Sequence, residues 1–213
     1  MLIVAETCWR YYSFMSDTFI HPSAEVESTV LVGQNSRIWS YTQICNGAQI
    51  GKNVIVGRNV YIGKNVQIGP NCKIQNNALL YEPAVLEEGV FIGPAVILTN
   101  DTYPRAINPD GTQKGNVDWD LVGVRIGRGA SIGAGAVCVA PLEIGEWALI
   151  AAGSTVTISV PSFALVAGTP ARRIGWVGTL GLPLVHHSEG KFMCPRSGAI
   201  YLQLDDNTLV ESK

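Results

Sequence analysis

The sequence has little charge and very little histidine. Lysine, arginine, aspartate and glutamate make up 15% of the 213 residues, and the formal net charge at pH 7 is −2. A basic surface for nucleic acid or anionic lipid is therefore not predicted. No run of 18 apolar residues occurs, so we predict no membrane span. His21, His186 and His187 are too scattered for a histidine-rich zinc centre, and we predict no metal.

The cysteines and the first residues also lack a recognisable pattern. An odd number of cysteines without C-x-x-C spacing indicates a reducing compartment, so we expect a cytoplasmic protein. Residues 1–14 have neither a basic start nor a long apolar stretch, so we predict no signal peptide, and Met15 is a second plausible start. Cys194 and Gly198 resemble half of a zinc ribbon whose partner cysteines are missing. The five cysteines are Cys8, Cys45, Cys72, Cys138 and Cys194.

The sequence is rich in a six-residue repeat. An aliphatic residue recurs at every sixth position from Ile20 to Leu98, and a small side chain usually follows four residues later. Neither a helix nor a flat strand has this period, whereas a coil that turns a corner every six residues does. We predict an all-β fold, a parallel β-helix in which three hexads close one triangular coil. Cys72 and Cys138 fall in repeat positions and are predicted to be buried.

A second run, out of phase with the first, extends from Ile126 to Val156 and brings the total to 20 hexads. We predict an N-terminal extension at 1–19, a β-helix at 20–160 and a C-terminal β tail at 161–213 that caps the open end. The excursion loop at 99–125 lies between the two runs. A loop of this length in a tight solenoid is usually functional, and the alternative is a tolerated surface insertion.

Polar side chains interrupt the repeat in the hexads before the loop. Gln75, Tyr81 and Glu87 stand where glycine often follows the aliphatic residue. With Asn76 and Asn77 they are predicted to form a hydrogen-bonding patch one or two coils before the excursion loop. The structural alternative is an asparagine ladder along one corner.

Two further groups of residues are candidates for ligand contact. Asn100 and Asp101 begin the loop, and Arg105 can bind a phosphate or carboxylate in bidentate fashion, unless it is only a solvated charge. The second run carries small residues against which a long ligand can lie, and two arginines follow at the exit from the coil. These small residues and exit residues are Gly133, Ala134, Gly135, Ala151, Ala152, Gly153, Pro170, Arg172 and Arg173.

The hexads, the loop and the exit segment AGTPAR resemble the left-handed β-helix acyltransferases that use acyl-CoA or acyl carrier protein. The segments RIWSYTQIC, KIQNNALLYEPAVLEEGVFIGP, LTNDTYPRA, VPSFALVAGTPARRIGWV and CPRSG resemble one subgroup. Its members are N-acetyltransferases of UDP-2-acetamido-3-amino-2,3-dideoxyglucuronic acid and of related nucleotide-linked 3-amino sugars. Ser40 stands where this subgroup often has histidine.

The resemblance implies a left-handed coil and a homotrimer whose active sites lie between neighbouring subunits, with the loop of one reaching across to another. It implies acetyl-CoA along the small residues of the second run. Asn100 matches the asparagine that contacts the reacting sugar, and the other polar candidates fall in segments that match the substrate region. These are Gln75, Asn76, Asn77, Tyr81, Glu87, Asp101 and Arg105.

The candidate loop offers Asn100 and no histidine base, so we expect the sugar amine to attack the thioester directly once it is positioned. The leading hypothesis is a cytoplasmic N-acetyltransferase in the biosynthesis of a surface polysaccharide such as the O-antigen of lipopolysaccharide. The alternatives are an N-acetyltransferase of a dTDP-linked 3-amino-deoxyhexose and a non-catalytic trimeric scaffold.

Overall fold

The computed structural model describes residues 18–115 and 117–212, and all regular secondary structure in them is β. Most of the N-terminal extension, with Cys8 and Met15, lies outside the described residues. Twenty short strands form the coils. They are Phe19–Ile20 (β1), Glu25–Val26 (β2), Leu31–Val32 (β3), Arg37–Ile38 (β4), Gln43–Ile44 (β5), Gln49–Ile50 (β6), Ile55–Val56 (β7), Tyr61–Ile62 (β8), Gln67–Ile68 (β9), Lys73–Ile74 (β10), Leu79–Leu80 (β11), Val85–Leu86 (β12), Phe91–Ile92 (β13), Ile97–Leu98 (β14), Val124–Ile126 (β15), Ser131–Ile132 (β16), Val137–Cys138 (β17), Leu142–Ile144 (β18), Leu149–Ile150 (β19) and Thr155–Val156 (β20).

Successive strands lie on three different faces of a triangular prism. Face A begins with β1 and β4, face B with β2 and β5, and face C with β3 and β6, and each face is a parallel sheet. Every third strand therefore returns to the same face. We number the coils from the N-terminus, so that coil 1 holds β1 to β3 and coil 7 begins at β19. The corners are named AB, BC and CA after the faces they join.

The hexad prediction is confirmed strand by strand. Each of the 20 predicted aliphatic positions lies in one of these strands, and from Ile38 onward each is buried. Ile20 in coil 1 keeps 43% of its surface exposed, because no earlier coil stacks on it among the described residues. Cys72 and Cys138 are fully buried, as predicted. The left hand of the coil stays a prediction.

The corners explain the asparagines of the repeat. The third residue of a corner takes a left-handed backbone conformation, with φ of 58° at Asn53 and 62° at Asn71, which asparagine tolerates better than most residues. At corner CA these side chains form the kind of ladder considered from the sequence: Asn35 donates to Asn53 at 3.2 Å, and Asn53 to Asn71 at 3.1 Å. Stacked amides therefore stabilise this corner along three coils.

The loop leaves the prism at corner BC of coil 5, between the end of β14 and the start of β15 at Val124. Two threonines fix its first residues to the next coil. The Ala140 N–H donates to Thr99 Oγ1 at 3.0 Å, and Thr102 Oγ1 donates to the Ala140 carbonyl at 2.9 Å. The start of the loop therefore has a defined position.

The coil continues beyond residue 160, its predicted end. The next strand, Ala164–Gly168 (β21), pairs in parallel with β19 on face A, and Ala171–Trp176 (β22) then pairs with it in antiparallel. A separate antiparallel sheet follows. Its strands are Val185–Ser188 (β23), Lys191–Met193 (β24), Ile200–Asp205 (β25) and Thr208–Glu211 (β26).

Tyr201 connects this C-terminal sheet to the end of the coil. Its side chain is buried, and its ring centroid lies 5.6 Å from that of Phe163 in an edge-to-face contact. Its hydroxyl accepts the Thr179 N–H at 3.0 Å and donates to Glu211 Oε1 at 3.2 Å. The tail therefore packs on the last coil through an aromatic anchor whose polar end is satisfied.

The buried thiols predict a loss of stability at alkaline pH. Burial raises the pKa of Cys72 to about 11 and that of Cys138 to about 12. The unfolded thiols ionise near their ordinary value, so the stabilisation is present below about pH 8.5 and is lost as pH rises above it. We expect these two thiols together to lower the free energy of unfolding, measured with urea, by roughly 3 kcal/mol between pH 8.5 and 10.

Cys138→Val is the matched variant, because valine suits the aliphatic position and does not titrate. It should reduce this pH dependence by about half. Equal pH dependence in the two proteins would contradict the assignment.

Candidate functional site

The three amide side chains predicted to contact substrate lie at corner AB of coil 4. Asn76 and Asn77 line an open groove of about 520 Å³ together with Tyr41, Arg58 and Asn59. Gln75 and Asn76 line a second groove of about 400 Å³ on the face A side of the corner, beside Trp39 and Arg58. The amides therefore share this corner with an arginine and two aromatic residues.

Asn76 and Asn77 are predicted either to contact substrate or to form an asparagine ladder, and their hydrogen bonds are compatible with both roles. Asn76 Oδ1 accepts the Arg58 N–H at 2.8 Å, and Asn77 Oδ1 accepts from Asn59 Nδ2 at 3.0 Å. Both carbonyl oxygens thus stabilise the corner, as the ladder alternative proposed. Neither Nδ2 group donates to another residue of the described chain, so both donors are free to bind a ligand.

From coil 4 to coil 7 along corner AB, the side chain at the third corner position becomes smaller, until glycine leaves only backbone there. The third corner residue is Asn77 in coil 4, Ala95 in coil 5, Gly135 in coil 6 and Gly153 in coil 7. Both glycines are left-handed, with φ of 67° and 70°, and a Cβ at either would meet no atom within 4 Å. Other corners place asparagine in this conformation, so the backbone alone does not require glycine here. We call corner AB of coils 5 to 7 the bare strip.

Gly133 has a different reason to be glycine. A Cβ there would lie 2.4 Å from the Ala152 backbone nitrogen, so the stacking of coils requires it. Ala134, Ala151 and Ala152 complete the predicted small surface at this corner. The stacking of coils therefore explains the glycine at position 133 but not those at 135 and 153.

Tyr81 and Glu87 do not belong to the same patch as the amides, so the predicted cluster of five residues is wrong for a single chain. Tyr81 lies at corner BC, where its ring centroid is 5.1 Å from that of Tyr61. Glu87 lies at corner CA, where its Oε2 accepts the Arg128 N–H at 3.0 Å. Six residues separate successive corners, which corresponds to a path of up to about 20 Å. One small ligand on one chain cannot contact all three corners.

Asn100 lies at corner BC of coil 5, at the level of the bare strip but at a different corner. Its carbonyl accepts the Val122 N–H at 3.2 Å, which closes the base of the loop. Its side-chain amide makes no hydrogen bond to another described residue, and the residue as a whole is half-buried. Asp101 Oδ1 accepts the Tyr103 N–H at 2.8 Å, and Arg105 is exposed. The base of the loop therefore presents the unpaired side-chain amide of Asn100.

The outer part of the loop is a small turn that leaves apolar groups exposed. Asp110 Oδ1 accepts from the Thr112 hydroxyl at 2.7 Å and from its N–H at 3.0 Å, and these bonds lower the pKa of Asp110. Tyr103 is 82% exposed and Val117 is 94% exposed. Exposed apolar side chains on an ordered loop are typical of an interaction surface.

Glu82 is a candidate that the sequence interpretation missed. Its Oε2 is buried and has no hydrogen-bond partner among the described residues. The Glu82 carboxylate occupies the space beside Gly63. A side chain at position 63 would clash with it. Glu82 precedes Asn100 by one coil of 18 residues at the same corner. Nearby, burial raises the pKa of Tyr61, as does its hydrogen bond with Cys45. Corner BC therefore carries a desolvated acidic group beneath the loop.

The two exit arginines do not join the bare strip. Arg173 donates to the Asp206 carbonyl, and its guanidinium lies 4.4 Å from the centroid of the Trp176 ring. Both Arg172 and Arg173 line a separate groove of about 780 Å³ with walls from face C. Pro170 does continue corner AB, since the preceding Thr169 hydroxyl is 3.5 Å from the Gly153 carbonyl. On this chain, Arg173 stabilises the docked tail.

No group of three acidic, cysteine or histidine residues within 18–115 and 117–212 is arranged to hold a metal ion. Across these residues there is also no helix that is long and apolar enough to span a membrane.

Comparisons with known proteins match the repeat. The family of bacterial transferase hexapeptides, in six repeats, matches residues 47–82, and the hexapeptide repeat of succinyl-transferase matches residues 25–64 and 123–157. A dTDP-3-amino-3,6-dideoxy-alpha-D-galactopyranose 3-N-acetyltransferase from Aneurinibacillus thermoaerophilus is 54% identical over 50 residues, which are 24% of this chain and 26% of that protein. The serine acetyltransferase of Escherichia coli K12 is 35% identical over 88 residues, or 41% of this chain and 31% of that protein.

Among solved structures, one similar chain is the acetyltransferase domain of PglB from Neisseria gonorrhoeae in complex with acetyl coenzyme A. It is 22% identical, with a TM-score of 0.49 over 76% of this chain and 60% of that chain. The matched part of this chain spans between a quarter and a third of the length of the two curated relatives.

Proposed function

We propose that this chain, which is built from the hexapeptide repeats of the bacterial transferase family, is an acetyl-CoA-dependent N-acetyltransferase. It acts on the 3-amino group of a nucleotide-linked amino sugar, UDP-2-acetamido-3-amino-2,3-dideoxyglucuronate, in surface polysaccharide biosynthesis in the cytoplasm. The observation that carries the proposal is the change along corner AB from amide side chains in coils 3 and 4 to bare backbone in coils 6 and 7.

The two halves of this corner suit two different ligands. Coils stack about 4.8 Å apart, so the distance from coil 4 to coil 7 is roughly 14 Å. The amide donor of Asn77 suits the hydroxyl and acetamido groups of a sugar. The bare strip suits the pantetheine arm of acetyl-CoA, whose amides can bond to exposed backbone groups. The two ligands would meet end to end at coil 5.

Asn100 lies at the level of coil 5 but at corner BC, so a second copy of the chain is needed to complete the site. We propose a homotrimer in which corner AB of one copy faces the loop of the next. Face B, between these corners, carries the half-buried apolar residues Leu79, Ile97 and Val137 on its outer side. With exposed Tyr103 on the loop, these residues form a suitable subunit interface. Tyr81 and Asp101 then join the amides across this interface.

The proposed chemistry needs no histidine. The neutral amine attacks the thioester carbonyl, a C–N bond forms, and the C–S bond breaks. The departing thiolate of coenzyme A finally accepts the proton that the amine loses. The amide of Asn100 orients the sugar, and positioning supplies much of the rate acceleration.

One of the named relatives supports an amino-sugar acceptor, and two nucleotides remain to be considered. The Aneurinibacillus thermoaerophilus relative is by name a 3-N-acetyltransferase of a dTDP-linked 3-amino sugar, which favours the dTDP-3-amino-deoxyhexose as the second candidate. A uronate acceptor needs a cation for its carboxylate, and Arg105 is available for that role. A non-catalytic scaffold would need neither the bare strip nor an ordered loop with an unpaired amide.

The acceptor is tested by thiol release from acetyl-CoA. We expect turnover with UDP-2-acetamido-3-amino-2,3-dideoxyglucuronate and none with a dTDP-3-amino-hexose. Turnover with only the dTDP sugar would show that the acceptor is a dTDP-linked sugar, and the proposed acetyl transfer would still hold. No thiol release with either sugar would favour the scaffold.

The bare strip is tested by adding a side chain that the backbone accepts. Gly135→Asn and Gly153→Asn should leave the melting temperature within about 2 °C, because asparagine already occupies this conformation at other corners. Each should raise the KM for acetyl-CoA about tenfold or more, since the new side chain occupies the space of the ligand.

The matched control is Gly89→Asn, at the same position of corner CA in coil 4, where φ is 70°. It should leave the KM for acetyl-CoA unchanged. An unchanged KM in both strip variants would place acetyl-CoA elsewhere.

Asn100→Ala tests the loop amide. It should lower kcat/KM for the sugar about 10- to 100-fold, because a hydrogen bond that orients the reacting sugar is lost, while the melting temperature stays the same. Asn46→Ala, at the same corner in coil 2, is the control and should retain full activity. Full activity of Asn100→Ala would exclude the proposed role.

A further inference from the structure

An exposed cluster of aromatic and cationic side chains lies at corner AB, on the N-terminal side of the predicted amides. Trp39 and Tyr41 belong to coil 2 and Arg58 to coil 3. Trp39 is 37% exposed, and its ring centroid lies 5.6 Å from that of Phe19, which supports one side of it. The Arg58 guanidinium lies 5.0 Å from the centroid of the Tyr41 ring. We call Trp39, Tyr41 and Arg58 the aromatic–arginine cluster.

Tyr41 occupies an unusual position for a bulky residue. Its φ is 58°, in the left-handed region where this chain mostly uses asparagine or glycine. A bulky side chain in that conformation is strained relative to those residues, and such strain is concentrated at functional positions. The Ser23 hydroxyl accepts the Tyr41 N–H at 3.2 Å, which fixes the backbone there.

Trp147 is an aromatic residue at the equivalent position of another corner, and its role is purely structural. It has a φ of 58° at corner CA, and Arg128 lies 5.6 Å from the centroid of its ring. The indole covers Gly129 and is half-buried. Tyr41, by contrast, keeps 60% of its surface exposed. Packing on the coil therefore explains Trp147 and does not explain Tyr41.

Arg58 is held in place but has no acidic partner. Its backbone N–H is fixed by Asn76 Oδ1, and within the described residues no carboxylate forms an ion pair with its guanidinium. The groove that it lines also holds the free Nδ2 donors of Asn76 and Asn77. An exposed guanidinium beside amide donors suits an anionic group with several oxygen acceptors, and phosphate is such a group.

We propose that the aromatic–arginine cluster, with Asn76, is the subsite for the nucleoside diphosphate part of the acceptor. The base stacks on the exposed aromatic faces, and the phosphates bind Arg58 and the Asn76 amide. This proposal rests on the proposed function and adds the orientation of the acceptor. Coils 2 and 3 lie roughly 10 to 14 Å from coil 5, which leaves room for the sugar to reach the level of Asn100.

The test is direct binding of UDP to the full chain, measured by calorimetry and by quenching of tryptophan fluorescence. Arg58→Ala should weaken UDP binding about 10- to 100-fold, and Arg58→Lys should recover part of the loss because a lysine keeps the charge without the bidentate fork. Tyr41→Ala should weaken it about 5- to 100-fold through loss of stacking. Trp39→Phe should remove most of the quenching while UDP still binds.

Two probes separate the parts of the subsite. Pyrophosphate binding should depend on Arg58 and not on Tyr41, and uridine binding should show the opposite dependence. Arg128→Ala, from the equivalent arginine–aromatic pair at corner CA, should bind UDP as the unchanged protein does. Acetyl-CoA binding should be equal in all these variants.

Two results would contradict the proposed nucleotide subsite. They have different consequences for the proposed acetyl transfer. If UDP bound equally well to the unchanged protein, Arg58→Ala and Tyr41→Ala, the subsite would be wrong although acetyl transfer could proceed. If neither UDP nor dTDP bound to the unchanged protein, the subsite would be wrong, and thiol release with the two sugars would decide separately whether the proposed function survives.

Discussion

The closure of a regular coil in 18 residues, three hexads, is the constraint on which the rest of this structure depends. The core is only one side chain deep from each face, so the inward positions must be aliphatic and the residues near the bends must be small. Ser36 and Thr42 are small enough for these positions, although they are polar. Their buried hydroxyls donate to the corner carbonyls of Gly51 and Gly57, both at 2.8 Å. Variation is therefore left to the corners and to the outer faces, and the candidate site is built there.

The period of the repeat made most of the fold predictable. A hydrophobic position every six residues identifies the strands, and the loss of rhythm after Leu98 identifies the loop. The end of the coil was less predictable, since β21 continues face A although its sequence, Ala164–Gly168, no longer follows the hexad spacing. Parallel pairing with β19 and packing on the last coil determine this strand, and neither can be seen in a local pattern.

The candidate site was predicted less well, for a geometric reason. Gln75, Tyr81 and Glu87 are six residues apart and so fall on three successive corners, whereas residues 18 apart share a corner. Counting in eighteens would have placed Arg58 beside Asn76 and Glu82 beneath Asn100. This 18-residue spacing is present in the sequence, but a grouping of residues by nearness along the chain does not reveal it. The docking of Arg173 on the C-terminal sheet had no such signal, because it depends on the fold of a separate segment.

In the trimer that we propose, corner AB of one copy and the loop of another complete each site. Co-expression of Asn100→Ala with Gly153→Asn tests it most directly, because each chain supplies the half that the other lacks. In randomly mixed trimers, about one quarter of the sites combine an intact loop with an intact corner. We therefore predict that the mixture recovers about a quarter of the unmodified activity, although each variant alone is impaired. Activity no higher than the average of the two variants would show that both halves of a site come from one chain.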